Sequence, residues 1–230
     1  MNEFQFCGKN FLSPQNLANI EDLKSQLLIS VADAGFVKLG PEERHALSRM
    51  RYNQRQRQFI ALPSQHMRAD DNDELANSVV AWSFYPKIVK REGKGWRNIA
   101  NNQSLGLHPT SVNKASPNQD IKYVSFYGIM QSSSRFTNAQ ETSPVSDFAL
   151  VLMAGDAVFH LYAGVIVIDG NRIRLRVRDW RTMIVLKTLR AKFREVLAKL
   201  LKSPGRELGD RLRKWMDVFE AIFAREEKKA

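Results

Sequence analysis

The sequence predicts an α+β fold, with helices at both ends of the chain and a small β-barrel between them. Three observations predict it. Apolar residues recur every three to four positions before residue 85 and after residue 180. The middle is broken into short runs rich in β-branched and aromatic residues, separated by Gly-Lys-Gly and Asn-Asn turns. A hydrophobic fraction of 43%, with 13 Phe and 4 Trp in 230 residues, supplies a core rather than a disordered tail. The organisation expected is a helical segment over 1–85, a barrel over 86–180 and a helical extension over 181–230.

The first helix starts at Ser13-Pro14, a hydroxyl cap followed by proline in the first turn. Leu17, Ile20, Leu23, Leu27, Val31 and Ala34 form one stripe expected to pack on other helices, and Gly35 closes the helix. Pro41 to Gln58 is polar and basic, with Arg44, Arg49, Arg51, Arg55 and Arg57; it reads as a solvated helix, a loop or an RNA contact. Asp70-Asp71-Asn72 caps a second helix, buried through Leu75, Val79, Val80 and Phe84 and ended by Pro86.

Lys87 to Arg91 reads as the first strand. Gly93 and Gly95 turn the backbone around Lys94, and Trp96–Ala100 and Gln103–His108 form a hairpin about Asn101-Asn102. Tyr123 to Met130 is a strand by composition, and Ser132 to Ser143 reads as polar connection. Pro144 opens a short helix that Gly155 ends, and Phe159 to Ile168 reads as one apolar strand turned by Asp169-Gly170.

Arg172, Arg174, Arg176 and Arg178 alternate with Ile173, Leu175 and Val177. On a strand, period two sets the four arginines on one face. They either pair with acids such as Asp169 and Asp179 or meet phosphates. A long helix follows from Arg181 to Lys202, with Met183, Leu186, Leu189, Phe193, Val196, Leu197 and Leu200 on its apolar side and Lys187, Arg190, Arg194 and Lys199 mostly opposite. Pro204-Gly205 precedes a last helix carrying Leu208, Leu212, Trp215, Phe219 and Phe223.

Net charge is +11 and the isoelectric point about 9.9, which favours a polyanionic partner: RNA, DNA, a ribosome or an acidic membrane surface. A solvated basic face is the bland alternative. The single Cys7 excludes an internal disulfide and a cysteine-rich zinc site and fits a reducing compartment such as the cytosol or nucleus; of these a cytoplasmic location is expected. There is no apolar run of transmembrane length, so no transmembrane helix, and no secretory signal; RNA rather than a membrane is the partner expected. The greasy start, with Phe4, Phe6, Phe11 and Leu12, points to a piece of something longer.

Catalytic chemistry is not expected in this chain. No stretch matches GxxxxGK[ST], and Asp73-Glu74-Leu75-Ala76 sits at a helix start with nothing upstream to cradle a phosphate. His45, His66, His108 and His160 lack metal-ligand spacing, so no metal site is expected. A binding module is the reading that remains. Its candidate RNA contacts by charge are Lys90, Arg91, Lys94 and Arg97 in the first strands and Arg174 and Arg176 in the arginine strand. Trp96, Tyr123, Phe126 and Phe136 are candidates for base stacking, or core residues of a small barrel.

The phrase Trp82-Ser83-Phe84-Tyr85-Pro86, the basic strand after it, and a strand closing on His108-Pro109-Thr110-Ser111 resemble the C-terminal region of DEAH/RNA-helicase-A-type (DExH-box) RNA helicases. There the end of the helical ratchet (HA2) domain leads into an oligonucleotide-binding (OB) barrel. The stretch from Ser143-Pro144-Val145-Ser146 to Gly155-Asp156 and the Asp179-Trp180 exit extend the likeness over Leu17 to Leu201. The resemblance implies RecA-like motor domains upstream, with their ATP and Mg²⁺, and a barrel surface lining a single-stranded RNA channel. It adds His108, Thr110 and Ser111 as RNA contacts and carries no residue onto Arg44–Arg57. GKGWRNIANNQSLGLHPTSVNK is most similar to the branch that acts in translation initiation on structured messages and binds the small ribosomal subunit. The rival expectation is a protein-docking platform anchored by Trp215, Phe219 and Phe223, residues that otherwise pack back on the barrel.

Overall fold

The computed structural model describes residues 3–52, 73–115, 121–132 and 136–226. They fall into two units: Met1–Asp70 with Lys199–Leu208, and Asp71–Ala198 with Gly209–Ala230.

The first unit holds α1 (Glu3–Lys9), α2 (Pro14–Asp33) and α3 (Pro41–Tyr52). Ser13 caps α2 as expected: its hydroxyl accepts a hydrogen bond from the Asn16 N–H. Gly35, at φ 86°, leaves the helix in the left-handed conformation. Gly205 lies so close to the Gly35 carbonyl that a Cβ there would stand 2.5 Å from its oxygen. The predicted stripe of α2 is not the buried one. Leu17, Ile20, Leu23, Leu27 and Val31 are exposed, and the covered residues are Ser25, Leu28 and Ala32. Ser25 is tolerated there because its hydroxyl donates to the Glu21 carbonyl. Of the basic segment, α3 takes the part to Tyr52; Arg55 and Arg57 lie outside the described residues, as does the Asp70–Asn72 cap.

The second unit begins with α4 (Asp73–Phe84), which ends before Pro86 as the sequence requires. The barrel follows: β1 (Ile88–Glu92), β2 (Gly95–Asn98), β3 (Ser104–Leu107), the single turn α5 (Val112–Ala115), β4 (Tyr123–Gln131) and β5 (Thr137–Val145). The strands close in the order β1-β2-β3-β5-β4, with β3 and β5 parallel and the other pairs antiparallel. Val89, Leu105, Leu107, Val124, Phe126 and Ala139 fill the interior. β5 is a correction to the sequence reading: the polar stretch is a nine-residue strand, and Pro144 belongs to it rather than opening a helix.

The helix α6 (Asp147–Met153) starts at Ser146, whose hydroxyl caps the Ala149 N–H. The run read as one strand from Phe159 to Ile168 is a hairpin instead. β6 (Ala157–His160) and β7 (Val165–Ile168) reverse through Leu161–Gly164, and β8 (Ile173–Arg176) completes a three-stranded sheet in the order β6-β7-β8. Ile166, Ile168, Ile173 and Leu175 point from this sheet into a core shared with α6 and with Met183 of α7 (Trp180–Lys202). α8 (Asp210–Glu226) buries Phe219 and Phe223 against Leu152, Met153 and Leu189, with Phe148, Phe193 and Trp215 packed around them.

Arg190 also departs from its expected place. It is buried, and its guanidinium donates to the carbonyls of Val151 (2.6 Å), Ala154 (2.7 Å) and Gly155 at the end of α6. The last carbonyls of a helix need donors, and a cation answers the negative end of the helix dipole as well. Burial and the nearby Arg194 charge pull the Arg190 pKa down to about 10, so it remains protonated at neutral pH.

Candidate nucleic-acid interface

The barrel presents its cations by strand alternation. Lys90 on β1 stands opposite Arg97 on β2 and Tyr123 on β4, and Arg97 stands opposite Ser104 on β3. Directly paired residues share a face, so Lys90 and Arg97 point the same way. Arg91 and Trp96, the next pair along, take the opposite face. The Arg91 guanidinium lies 5.8 Å from the centroid of the Trp96 ring, within cation–π range. The two cations of Lys90-Arg91 are therefore divided between two surfaces.

Lys94 stands exposed at the turn between β1 and β2, next to Gly93 at φ 59°. Arg97 is less free than its sequence suggests. Its Nε donates to Glu92 Oε2 at 2.7 Å, and its Nη1 to the Asn102 carbonyl at 3.0 Å. That ion pair spans the turn and cancels one positive charge on the face where Lys90 remains.

The His-Pro-Thr-Ser exit from β3 is built as a knot of side chains. His108 Nδ1 and Thr110 Oγ1 are 2.7 Å apart, and Ser111 Oγ and Thr142 Oγ1 of β5 are also 2.7 Å apart. Asn113 Nδ2 donates to the Thr142 carbonyl at 2.8 Å. His108 and Ser111 are half-buried and Thr110 is exposed; Ser111 and Asn113 hold α5 against β5, while the His108 ring bonds within the exit loop. Sequence reasoning missed Asn113 and Thr142, which take no part in an apolar pattern.

The stacking candidates separate by burial. Tyr123 and Phe126 are core residues, and burial beside Asp147 pushes the Tyr123 hydroxyl up to about 12. Trp96 is occupied by Arg91. Phe136 is 71% exposed and Tyr127, which the sequence reading overlooked, is 56% exposed. Tyr127 sits edge-on to Phe84 at 5.6 Å, and Lys87 Nζ lies 5.5 Å from the Tyr127 ring centroid while donating to its carbonyl at 2.9 Å. Tyr123 and Tyr127 share one face of β4, but the core covers only the first.

Arg174 and Arg176 lie on β8, outside the barrel. The acids expected to neutralise them are engaged elsewhere. Asp169 accepts from the Tyr85 hydroxyl and the Asp156 N–H, and Asp179 caps α7 through Thr182. Among the described residues neither Arg174 nor Arg176 makes an ion pair. Among the same residues no group of three or more His, Cys, Asp or Glu is placed to hold a metal, and no helix is long and apolar enough to cross a membrane.

Residues 77–157 match the family model described as oligonucleotide/oligosaccharide-binding (OB)-fold. The barrel is an OB fold. Five strands closed in this order, with a helix between the third and fourth, are its architecture. The chain is also similar to DExH-box ATP-dependent RNA helicase DExH1 of Arabidopsis thaliana, at 23% identity over 210 residues that cover 90% of this chain and 19% of that protein. It is 25% identical to the putative ATP-dependent RNA helicase DHX57 of Mus musculus, over 89% of this chain and 16% of the relative. It is 25% identical to the ATP-dependent RNA helicase dhx29 of Xenopus laevis, over 90% of this chain and 14% of the relative. The chain thus spans less than a fifth of the length of these relatives. The likeness is to an OB-bearing region of DExH-box RNA helicases.

Proposed function

We propose that this chain is the RNA-gripping C-terminal module of an ATP-dependent DExH-box RNA helicase. The observation that carries this reading is the pairing of an OB barrel with two cations, Lys90 and Lys94, that no acidic side chain of the described residues neutralises. Single-stranded RNA is held by phosphate neutralisation, each phosphate adding about −0.7 to the log–log salt slope. Exposed Tyr127 and Phe136 add stacking, worth about 1–3 kcal/mol per base. His108, Thr110 and Ser111 shape the end of β3, and Thr110 is the exposed member of the three.

Unwinding belongs to RecA-like motor domains upstream, which take ATP and Mg²⁺. The residues of this chain include no phosphate-cradling loop of their own. The resemblance of GKGWRNIANNQSLGLHPTSVNK to the translation-initiation branch supports a parent protein that acts on structured mRNA at the small ribosomal subunit, and the single Cys7 is compatible with the cytoplasm. Of the three anchors of the rival docking reading, Phe219 and Phe223 are buried within the unit and Trp215 is half-buried, which favours the RNA reading.

The test is fluorescence anisotropy of the chain with labelled single-stranded RNA across a salt series. The Lys90→Glu, Lys94→Glu double variant should bind at least tenfold more weakly at low salt. Its salt slope should be shallower by about 1.4, two phosphates' worth. Unaltered affinity in a variant with an unchanged circular dichroism spectrum would remove the RNA from this face.

A further inference from the structure

The three-stranded sheet carries an open edge. β8 is one of its two outer strands, and its partner β7 lies on one side only. The Val177 N–H donates to the Gly164 carbonyl, which fixes the hydrogen-bonding phase of the ladder. Antiparallel pairs alternate between bonded and non-bonded, so Ile173, Leu175 and Val177 bond to β7. The backbone N–H and C=O of Arg174 and Arg176 therefore point away from the sheet. Among the described residues nothing bonds to them.

The side chains of the same two residues stand on the solvent face. Register places Val158, Val167 and Arg174 in one row across the sheet, and His160, Val165 and Arg176 in the next. The other face is the buried one, through Ile173 and Leu175. β8 thus offers two outward peptide groups and two guanidinium groups, repeated every second residue, about 7 Å apart; Arg174 Nε donates to Asn171 Oδ1, which leaves the Nη groups of Arg174 for a partner.

We propose that the β8 edge receives an extended acidic segment of a partner protein by strand addition, with Asp or Glu alternating with aliphatic residues. An added strand satisfies the outward N–H and C=O groups. Its acidic side chains then lie directly across from Arg174 and Arg176, at the 4.5–5.5 Å Cβ separation of cross-strand neighbours, roughly. Its aliphatic side chains extend the apolar face of Ile173 and Leu175. A polynucleotide answers the guanidinium groups but supplies no strand ladder for the backbone. Edge cations also guard sheets against self-pairing, a role that needs no partner.

The experiment uses the full 230-residue chain and a labelled octapeptide of alternating Glu and Val. A second peptide has the same sequence N-methylated throughout its backbone, keeping every charge and losing every N–H. The first peptide should bind, and the second should bind at least tenfold more weakly. Arg174→Gln with Arg176→Gln should weaken the first by a similar factor, and the amides of Arg174 and Arg176 should exchange more slowly in its presence. Equal binding of the two peptides would reduce the contact to charge and overturn strand addition. Absence of binding at low salt would overturn it too, leaving the arginines as guards of the edge. Displacement of the peptide by single-stranded RNA with no change in amide exchange would assign the strand to nucleic acid instead.

Discussion

α2 and α8 are both one-sided helices by sequence, and they meet opposite fates. In α8 the row Trp215, Phe219, Phe223 is packed among Phe148, Phe193, Leu152 and Met153, and Phe219 is only 4% exposed. In α2 the row Leu17, Ile20, Leu23, Leu27, Val31 faces solvent, with Ile20 58% exposed, while the narrower side through Ser25, Leu28 and Ala32 is covered. Periodicity reports that a helix has two unlike sides. Which side is covered depends on the surfaces brought against it, and those are set elsewhere in the chain.

The comparison is tested most severely at Phe219. Phe219→Ala should cost about 3–5 kcal/mol, read by chemical denaturation, because it empties the centre of an aromatic cluster. Leu28→Ala, on the covered side of α2, should cost about 2–4 kcal/mol in the same measurement. Acid should loosen the unit that holds α8. Burial pushes the Asp169 carboxyl up, but the Tyr85 hydroxyl, the Asp156 N–H and the Arg172 and Arg190 charges outweigh it and hold the pKa below the usual carboxylate value. A depressed folded pKa gives stability that is present above the unfolded value, about 3.9, and lost as pH falls through the folded one. Tyr85→Phe should flatten that acid limb in a pH series of melting temperatures. Leu23→Ala, on the exposed row, should change stability by less than about 0.5 kcal/mol. A loss there as large as that of Leu28→Ala would show that the row is covered in solution.

The elements that were legible are those whose signals are local. Ser13 and Pro14 start α2 through one hydroxyl and one fixed φ, and Gly-Lys-Gly and Asn-Asn mark the turns of β1, β2 and β3. β5 was hidden because its strand character is borrowed. Of its nine residues only Ala139 and Val145 are buried, and the rest are held by pairing with β3 and β4. The β6–β7 turn was hidden inside an apolar run, with Gly164 at φ 62° as its single marker. At the candidate interface, period two predicts the face of Lys90, and the glycines on either side predict the exposed turn that carries Lys94. Neither signal reveals that Glu92 has already claimed Arg97, since that pair forms across a turn. Arg190 was misplaced for the same kind of reason: its partners are carbonyls 35 to 39 residues away, which leave no trace in side-chain pattern.

The Arg190 clasp decides how this chain can be cut. The barrel's last strand ends at Val145, and a fragment stopping soon after α6 would keep every barrel strand. It would also strip the donors from the Val151, Ala154 and Gly155 carbonyls and bare Leu152 and Met153. The piece able to stand alone therefore carries its latch far downstream of what the latch holds. During synthesis the carbonyls at the end of α6 go without these donors until Arg190 of α7 has emerged.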